Sequence, residues 1–129
     1  MDTDGHRWEG EEDALTRTII GYALRVSRRL GVGFVEKVYE NALVIELRKA
    51  GLVVEPQKKL LVYHDEEIVG EFWVDILVNG EVILELKAAR MIDEIHQAQI
   101  LNYLKAARLR RGLILNFGTP KLQVKRMVF

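Results

Sequence analysis

Three charged residues stand in the most apolar segment of the sequence, "FWVDILVNGEVILELKAARMIDEIHQAQILNYL". They are Asp75, Glu85 and Lys87, and each lies in a predicted strand whose other residues are mostly apolar. Strands disfavour aspartate, and a buried carboxylate without a partner is costly in free energy. If Asp75 and Glu85 lie a few ångströms apart, the pKa of one of them rises unless a cation intervenes.

A divalent metal ion would resolve this repulsion. Carboxylate ligands in small number, with the remaining positions left to water, suit Mg²⁺ or Mn²⁺. Lys87 lies on the same strand face as Glu85, so it would stand beside a metal-bound water. There it could deprotonate or orient that water for attack on a phosphate, or stabilise developing charge. The residues therefore predict phosphodiester hydrolysis, against the competing interpretation that Glu85 and Lys87 form a weak surface pair on a half-solvated strand.

Convergence of the carboxylates depends on the turn at Asn79 and Gly80, a dipeptide typical of hairpins. A two-residue loop pairs position 75 with position 84 and puts Asp75 and Glu85 on opposite faces. A three-residue loop, or one bulge, pairs position 75 with position 85 and puts them side by side. The sequence permits either register.

Strict alternation along the strand before the turn places Asp75 on one face with Trp73 and Leu77. The intervening apolar residues are then expected on the opposite face. They are Phe72, Val74, Ile76 and Val78.

The surrounding pattern predicts a mixed sheet with helices packed against it. Apolar residues recur at helical spacing over 11–30 and again over 34–51, where one face is expected to hold Phe34, Val38, Ala42 and Ile45. A third helix is expected over about 92–107. Strands are expected in "LVVEPQKKLLVYH", "IVGEFWVDILV", "EVILELKA", "RRGLILNFG" and "KLQVKRMVF". The predicted order is α-α-β-β-β-α-β-β.

Length and composition predict one domain over residues 11–129 after a flexible leader over residues 1–10. With 19 basic and 19 acidic residues, the formal net charge is zero, so the overall charge does not indicate a nucleic-acid partner. The absence of cysteine excludes disulfides, zinc–thiolate sites and thiol nucleophiles. The apolar runs are shorter than a membrane span and the first residues do not resemble a signal peptide, so a cytoplasmic protein is expected.

Several motifs together resemble one family. The order Asp75, Glu85 and Lys87 is similar to the D-x(n)-E-x-K core of the PD-(D/E)XK nuclease superfamily, with Val74 in place of the proline. The stretch "GFVEKVY" resembles the G-x-x-E-x-x-Y signature of the GxxExxY proteins, a branch of that superfamily. The stretch "QILNY" is similar to the Q-x-x-x-Y motif of RecB-like nucleases, and the resemblance runs from about residue 11 to residue 118.

This resemblance implies a three-layer α/β/α restriction-endonuclease-like fold with a central mixed sheet. It implies that Asp75, Glu85 and the main-chain carbonyl of Leu86 bind the metal, and that Lys87 acts on the attacking water. Glu36 would be an additional acidic residue, touching the metal directly or through water. Gln99 and Tyr103 would border the site and help to position the phosphate or the Lys87 amine. Tyr39 of the G-x-x-E-x-x-Y motif, and His96 on the helix stripe of Gln99 and Tyr103, are further candidates around the site.

Ordinary structural roles compete with some of these assignments. Glu36 fits the rim of an amphipathic helix, and Tyr39 fits a core position with its hydroxyl bonded to the backbone. His96 shares a helix stripe with Gln99 and Tyr103 but also fits the surface. A basic cluster could track phosphates or simply end a helix and guard an edge strand. It comprises Lys105, Arg108, Arg110 and Arg111, followed by Lys121, Lys125 and Arg126.

The resemblance favours a Mg²⁺- or Mn²⁺-dependent nuclease that acts on nucleic acid, DNA rather than RNA. The alternative is a nucleic-acid-binding or protein-interaction module that keeps the fold but has little or no activity, since fold alone does not determine function. A chain of 129 residues with no evident clamp would suit a homodimer or a protein partner. No membrane association is expected.

Overall fold

A computed structural model describes residues 11–129, and the leader predicted for residues 1–10 lies outside these described residues. The chain forms three helices and five strands in the predicted order. They are α1 (Glu11–Leu30), α2 (Glu36–Lys49), β1 (Val54–His64), β2 (Glu67–Val78), β3 (Val82–Lys87), α3 (Glu94–Ala107), β4 (Arg111–Asn116) and β5 (Gln123–Val128).

The five strands form one mixed sheet in the order β1-β2-β3-β4-β5. All neighbours are antiparallel except β3 and β4, which run parallel. Parallel neighbours need a crossover connection, and α3 provides it. In the part of the chain that the structure describes, no helix is both long and apolar enough to span a membrane.

Two apolar clusters, one on each face of the sheet, make the three layers. The larger lies between the sheet and the α1–α2 pair and includes Ile19, Leu43 and Leu84. The smaller lies between the sheet and α3 and includes Ile83 and Ile100. The central strands β3 and β4 are buried on both faces and therefore read as continuous apolar runs. This is the predicted α/β/α arrangement.

The predicted alternation along β2 is wrong at one point. Ile76 belongs to the cluster under α1 and α2, whereas both Val74 and Leu77 belong to the cluster under α3. Alternation is therefore broken beside Asp75, so Leu77 does not share its face and Ile76 does not oppose it. The β1–β2 ladder omits the pair of Asp75 with Gln57, and Gln57 has a positive φ of 48°. This local irregularity in both strands rotates the part of the β1–β2 hairpin nearer its turn relative to the part nearer β3. The first part is called the outer half of the hairpin.

The predicted apolar face of α2 is correct at Ala42, which packs against the larger cluster, and wrong at its two ends. Phe34 precedes α2 and is 48% exposed, and Ile45 is 55% exposed. The residues that the helix buries lie one position further along. They are Tyr39, Glu40, Leu43, Val44 and Leu47.

The end of β3 is fixed by the buried side chain of Asn116 at the end of β4. Its Oδ1 accepts hydrogen bonds from Ala89 N and Gly118 N, both at 3.0 Å. Its Nδ2 donates to Ala89 O at 2.9 Å and to Gln123 Oε1 at 2.8 Å. The two bonds with Ala89 tie the segment after Lys87 to β4, so they set where β3 stops. The other two hold the segment between β4 and β5.

A substitution at Gly118 tests this attachment. A Cβ there would overlap the backbone of Ala89 and lie 2.7 Å from Ala88 C, and backbone cannot move aside as a flexible side chain can. We expect Gly118→Ala to lower the free energy of unfolding by about 3 kcal/mol in urea denaturation. The control is Gly21→Ala, since Gly21 lies within α1 with nothing near its Cβ position, and it should raise stability by up to about 1 kcal/mol. Equal effects of the two substitutions would contradict the packing of Gly118 on Ala89.

Candidate active site

The turn between β2 and β3 adopts the register that brings the carboxylates together. The strands pair Val78 with Val82 and Ile76 with Leu84, so residues 79–81 form a three-residue loop. Asn79 secures it, with its N donating to Val53 O and its Oδ1 accepting from Val53 N, both at 2.8 Å. Continued one pair further, this register sets position 75 opposite position 85.

Beyond Ile76 the backbone pairing of β2 and β3 ends, and side chains take its place. The N–H of Asp75 donates to Glu85 Oε2 at 3.1 Å, and the N–H of Leu86 donates to Asp75 Oδ2 at 2.7 Å. Each carboxylate thus fills the gap between the diverging strands with one oxygen. Among the described residues, the second oxygen of each has no recorded hydrogen-bond donor. Asp75, which is half-buried, and Glu85, which is buried, therefore form a pair with free acceptor capacity.

Burial dominates the electrostatics of this pair. Desolvation and then the charge of Asp75 raise the pKa of Glu85 from 4.5 to about 8, although the hydrogen bond from Asp75 N opposes the shift. The pKa of Asp75 is also raised, mainly by desolvation, with the hydrogen bond from Leu86 N opposing it. Lys87 lowers the pKa of both carboxyl groups, so its charge acts on the same site. A cation between the carboxylates would favour their ionised forms.

Helix α2 adds two carboxylates to this site. An open cleft of about 640 Å³ is lined by Asp75, by Glu36 and Glu40 of α2, and by residues of the preceding loop. The charge of Glu36 contributes to raising the pKa of both Asp75 and Glu85, and that of Glu40 to raising the pKa of Asp75. Glu36 therefore faces the carboxylate pair, from an exposed position in the first turn of the helix.

Glu40 was not predicted from the sequence. It is 4% exposed, and it accepts hydrogen bonds from Lys37 Nζ at 2.8 Å and from Gln57 Nε2 at 2.9 Å. Its spacing of four residues from Glu36 was the available signal, since residues four apart on a helix share a face. Gln57 could not be predicted because its approach depends on the irregularity in β1.

Helix α3 approaches the pair from the other face of the sheet. The charges of Glu85 and Asp75, after desolvation, raise the pKa of Tyr103, and a hydrogen bond with Gln99 opposes the shift. The Tyr103 ring stacks on Phe72 of β2 with centroids 4.3 Å apart. Gln99 and Tyr103 thus lie together on one face of α3, Phe72 fixes the orientation of the Tyr103 ring, and the charges of the carboxylates reach the Tyr103 hydroxyl.

Two other predicted residues lie elsewhere. Tyr39 is 1% exposed and stacks on Phe117, and its hydroxyl donates to Gly31 O at 2.6 Å and accepts from Phe34 N at 3.3 Å. It holds the loop before α2. His96 forms a capping box with Asp93, with His96 N donating to Asp93 Oδ1 at 3.0 Å and Asp93 N to His96 Nδ1 at 3.4 Å.

The basic cluster after α3 lies apart from the cleft that Asp75 lines. Arg108 is the left-handed C-cap of α3 and borders a different cavity. Arg111 is 5% exposed, and its Nη2 lies 2.7 Å from Glu81 Oε1, so it is a buried structural cation. The helix-ending interpretation therefore describes Arg108, whereas Arg111 begins β4 and pairs with Glu81.

Comparison with known proteins agrees with this geometry. The family model described as the PD-(D/E)XK nuclease superfamily matches residues 13–127. The chain belongs to this superfamily. The solved structure of SSO0001 has the same fold as 71% of this chain, with a TM-score of 0.57 and 13% identical residues, and the match spans 48% of the SSO0001 chain. A search of curated proteins returns no match.

Superfamily members typically use divalent metals, and the residues at the diverging strands suit such an ion. Asp75 and Glu85 each keep one oxygen free, and hard oxygen donors are the ligands that Mg²⁺ and Mn²⁺ prefer. Within residues 11–129 no group of three or more His, Cys, Asp or Glu side chains is arranged to hold a metal ion. Two carboxylates, a main-chain carbonyl and water are consistent with Mg²⁺, which keeps several of its waters.

The raised pKa of Glu85 predicts how stability depends on pH without metal. Between about pH 4.5 and about pH 8 the folded protein holds a proton on Glu85 that the unfolded chain has lost. The free energy of unfolding should therefore fall as pH rises through this window. Glu85→Gln cannot ionise, so we expect it to be more stable than wild type near pH 8 by on the order of a few kcal/mol.

Urea denaturation in EDTA across this window is the measurement. Glu67→Gln, which changes an exposed glutamate at the start of β2, is the matched control and should keep the wild-type slope. If the free energy of unfolding of Glu85→Gln depended on pH as that of wild type does, Glu85 would be ionised across this pH window.

Proposed function

We propose that this domain is a Mg²⁺- or Mn²⁺-dependent nuclease that hydrolyses phosphodiester bonds in DNA. The observation that carries the proposal is the pair of hydrogen bonds by which Asp75 and Glu85 bridge the ends of β2 and β3. They hold the half-buried Asp75 beside the buried Glu85 and leave acceptor oxygens for a cation. Membership of the nuclease superfamily supports the same chemistry.

The chain's own groups have distinct roles in this proposal. Asp75, Glu85 and the carbonyl of Leu86 hold the metal, and Glu36 approaches from α2 to bind it directly or through water. The bound metal would lower the pKa of a coordinated water and neutralise charge on the phosphate. Lys87 orients the attacking water or takes up its proton, since its charge already acts on both carboxyl groups.

Residues around the metal site orient these groups. Gln99 and Tyr103 contact the phosphate or the Lys87 amine from α3. Glu40 accepts a hydrogen bond from Gln57, opposite Asp75 at the break in the β1–β2 ladder, and so fixes the cleft wall next to Asp75. Tyr39 and His96 act at a distance, because the first fixes the loop before α2 and the second begins α3.

We also assign the chain to the GxxExxY branch of the superfamily. Gly33 has a positive φ of 114°, which favours glycine, Glu36 faces the carboxylates, and Tyr39 fixes the loop. Each residue of the motif thus has a physical task around the cleft. The preference for DNA, a cytoplasmic location and a homodimer or protein partner follow from the resemblance and the small size of the chain.

A second candidate is a module on the same fold with weak or no activity. The observation that favours it is the charge of the cleft. Among the described residues that line it, Glu36, Glu40 and Asp75 are opposed by Lys37, which is itself paired with Glu40. A polyanion would meet repulsion there unless a metal neutralises the site, so metal binding separates the two functions.

Titration calorimetry with Mn²⁺ tests the metal site. We expect Asp75→Ala to lose measurable Mn²⁺ binding and more than about 100-fold of DNA cleavage, because one of two side-chain ligands is gone. Asp65→Ala removes an aspartate whose side chain is 90% exposed in the β1–β2 turn, and it should bind and cleave as wild type does. Asp75→Asn keeps an acceptor for Leu86 N and separates loss of charge from loss of fold. Wild-type binding in both Asp75 variants would overturn the assignment.

Lys87 is expected to affect turnover rather than metal affinity. Lys87→Ala should bind Mn²⁺ at least as tightly as wild type, since removing a cation cannot weaken attraction for a second one. Cleavage by the variant should fall by about 100- to 10,000-fold, the usual contribution of a group that moves a proton or stabilises charge. Lys49→Ala, at an exposed position in the last turn of α2, is the control. Unchanged cleavage by Lys87→Ala would remove Lys87 from the mechanism.

A further inference from the structure

Trp73 is an exposed aromatic residue beside the carboxylate pair. It lies two positions before Asp75 in β2, and its exposed fraction is 50%. Val74 between them is fully buried under α3, so Trp73 points to the opposite face, which also holds the cleft with Asp75 and α2. Trp73 belongs to neither apolar cluster, and no contact in the described core accounts for it.

The neighbouring strand continues the same surface with a cation. Lys59 of β1 pairs directly with Trp73, and its Nζ lies 5.8 Å from the centroid of the indole ring. The same Nζ is 3.3 Å from Glu71 Oε2, and the Lys59 side chain is 51% exposed. Two positions before Lys59, Gln57 lines the cleft. A strip of alternating residues on two strands therefore leads out of the cleft and past Trp73.

The break in alternation at Asp75 creates this strip. Ile76 faces α1 and α2, whereas Val74 faces α3. In the outer half of the hairpin, it is therefore the odd-numbered residues of β2, including Trp73, that lie on the side of the cleft. Neither α1 nor α2 packs on that side at Trp73. A large aromatic residue is consequently held exposed on a rigid strand, two residues or about 7 Å along the chain from Asp75.

We propose that Trp73 stacks on an unpaired base next to the phosphate that Asp75 and Glu85 act on, so that the substrate is a single-stranded nucleic acid. The inference rests on the proposed function for the position of that phosphate. Two strand residues span roughly the length of one extended nucleotide, so one phosphate at the carboxylates leaves a neighbouring base at the indole. Lys59, beside the same ring, is placed to contact the adjoining phosphate.

The choice of a single strand follows from the geometry of stacking. Exposed aromatic rings bind unpaired bases with little dependence on sequence, because every base has a flat π face. Inside a duplex both faces of a base are covered by its neighbours, and exposing one costs unstacking energy. A fixed indole on a strand therefore discriminates against continuous duplex and accepts strands, overhangs or frayed ends.

The fluorescence of Trp73 gives a direct test of stacking. The chain contains two tryptophans, Trp8 and Trp73, so Trp8→Phe makes Trp73 the single emitter. In this variant, with Asp75→Asn added to prevent cleavage, we expect single-stranded oligothymidylate to quench the emission. An oligouridylate arm shows whether the source of the bases is DNA or RNA, and a blunt duplex of equal length should quench little. No quenching by either single strand would overturn the proposal.

Affinity and turnover provide the second test. We expect Trp73→Ala to weaken single-strand binding by about 5- to 150-fold, measured with a labelled oligonucleotide, and Trp73→Phe to restore most of it. Phe129→Ala, which removes a 58% exposed aromatic residue beyond the opposite edge strand, should bind as wild type does. Equal loss in Phe129→Ala, or equal affinity of wild type for duplex, would contradict the role of Trp73.

Metal binding keeps this inference distinct from the proposed function. Trp73→Ala should bind Mn²⁺ as wild type does, since Trp73 contributes no ligand. If wild type binds Mn²⁺ and cleaves while Trp73→Ala cleaves single strands equally well, the nuclease assignment stands and the stacking inference fails. If oligothymidylate quenches Trp73 while wild type neither binds Mn²⁺ nor cleaves, the stacking inference stands and the domain is a binding module.

Discussion

The structure of the site depends on two hydrogen bonds made where β2 and β3 separate. The carboxylate of Glu85 accepts from the backbone of Asp75, and the carboxylate of Asp75 accepts from the backbone of Leu86. Without these bonds, the diverging strands would leave buried N–H groups unpaired, at a free-energy cost comparable to a lost hydrogen bond. The same bonds hold two carboxyl groups together in a place where desolvation opposes their ionisation.

The remaining elements act on this pair from three directions. The bonds of Asn116 fix the end of β3, α2 brings Glu36 and Glu40 to one side, and α3 brings Tyr103 to the other. Of these, Glu36 and Glu40 line the acidic cleft together with Asp75. The fold thus concentrates charge that is unfavourable in the isolated protein. A bound cation would make that charge favourable. Metal binding therefore distinguishes the proposed nuclease from a module on the same fold with weak or no activity.

Much of the fold followed from the sequence because periodicity reports burial directly. All eight elements were predicted in order, and α1 was predicted at its observed bounds. The errors occurred where a single residue shifted the helical or strand periodicity from which burial was predicted. Phe34 lies outside α2, so its face was misplaced, and the alternation of β2 breaks beside Asp75. The break in β2 lies opposite Gln57 of β1, which has a positive φ, and the pattern of one strand cannot show the backbone of its neighbour.

The sequence by itself determined the types of group and the strands and helices that carry them, including Asp75, Glu85 and Lys87 around a turn. It left the register open, and one residue in that loop decides whether the carboxylates meet or lie on opposite faces. Only the tertiary structure selected the three-residue loop, because Asn79 bonds to Val53 in the segment before β1. It alone also brought Glu40 to the cleft and left Trp73 exposed beside it, since both depend on how separate segments pack.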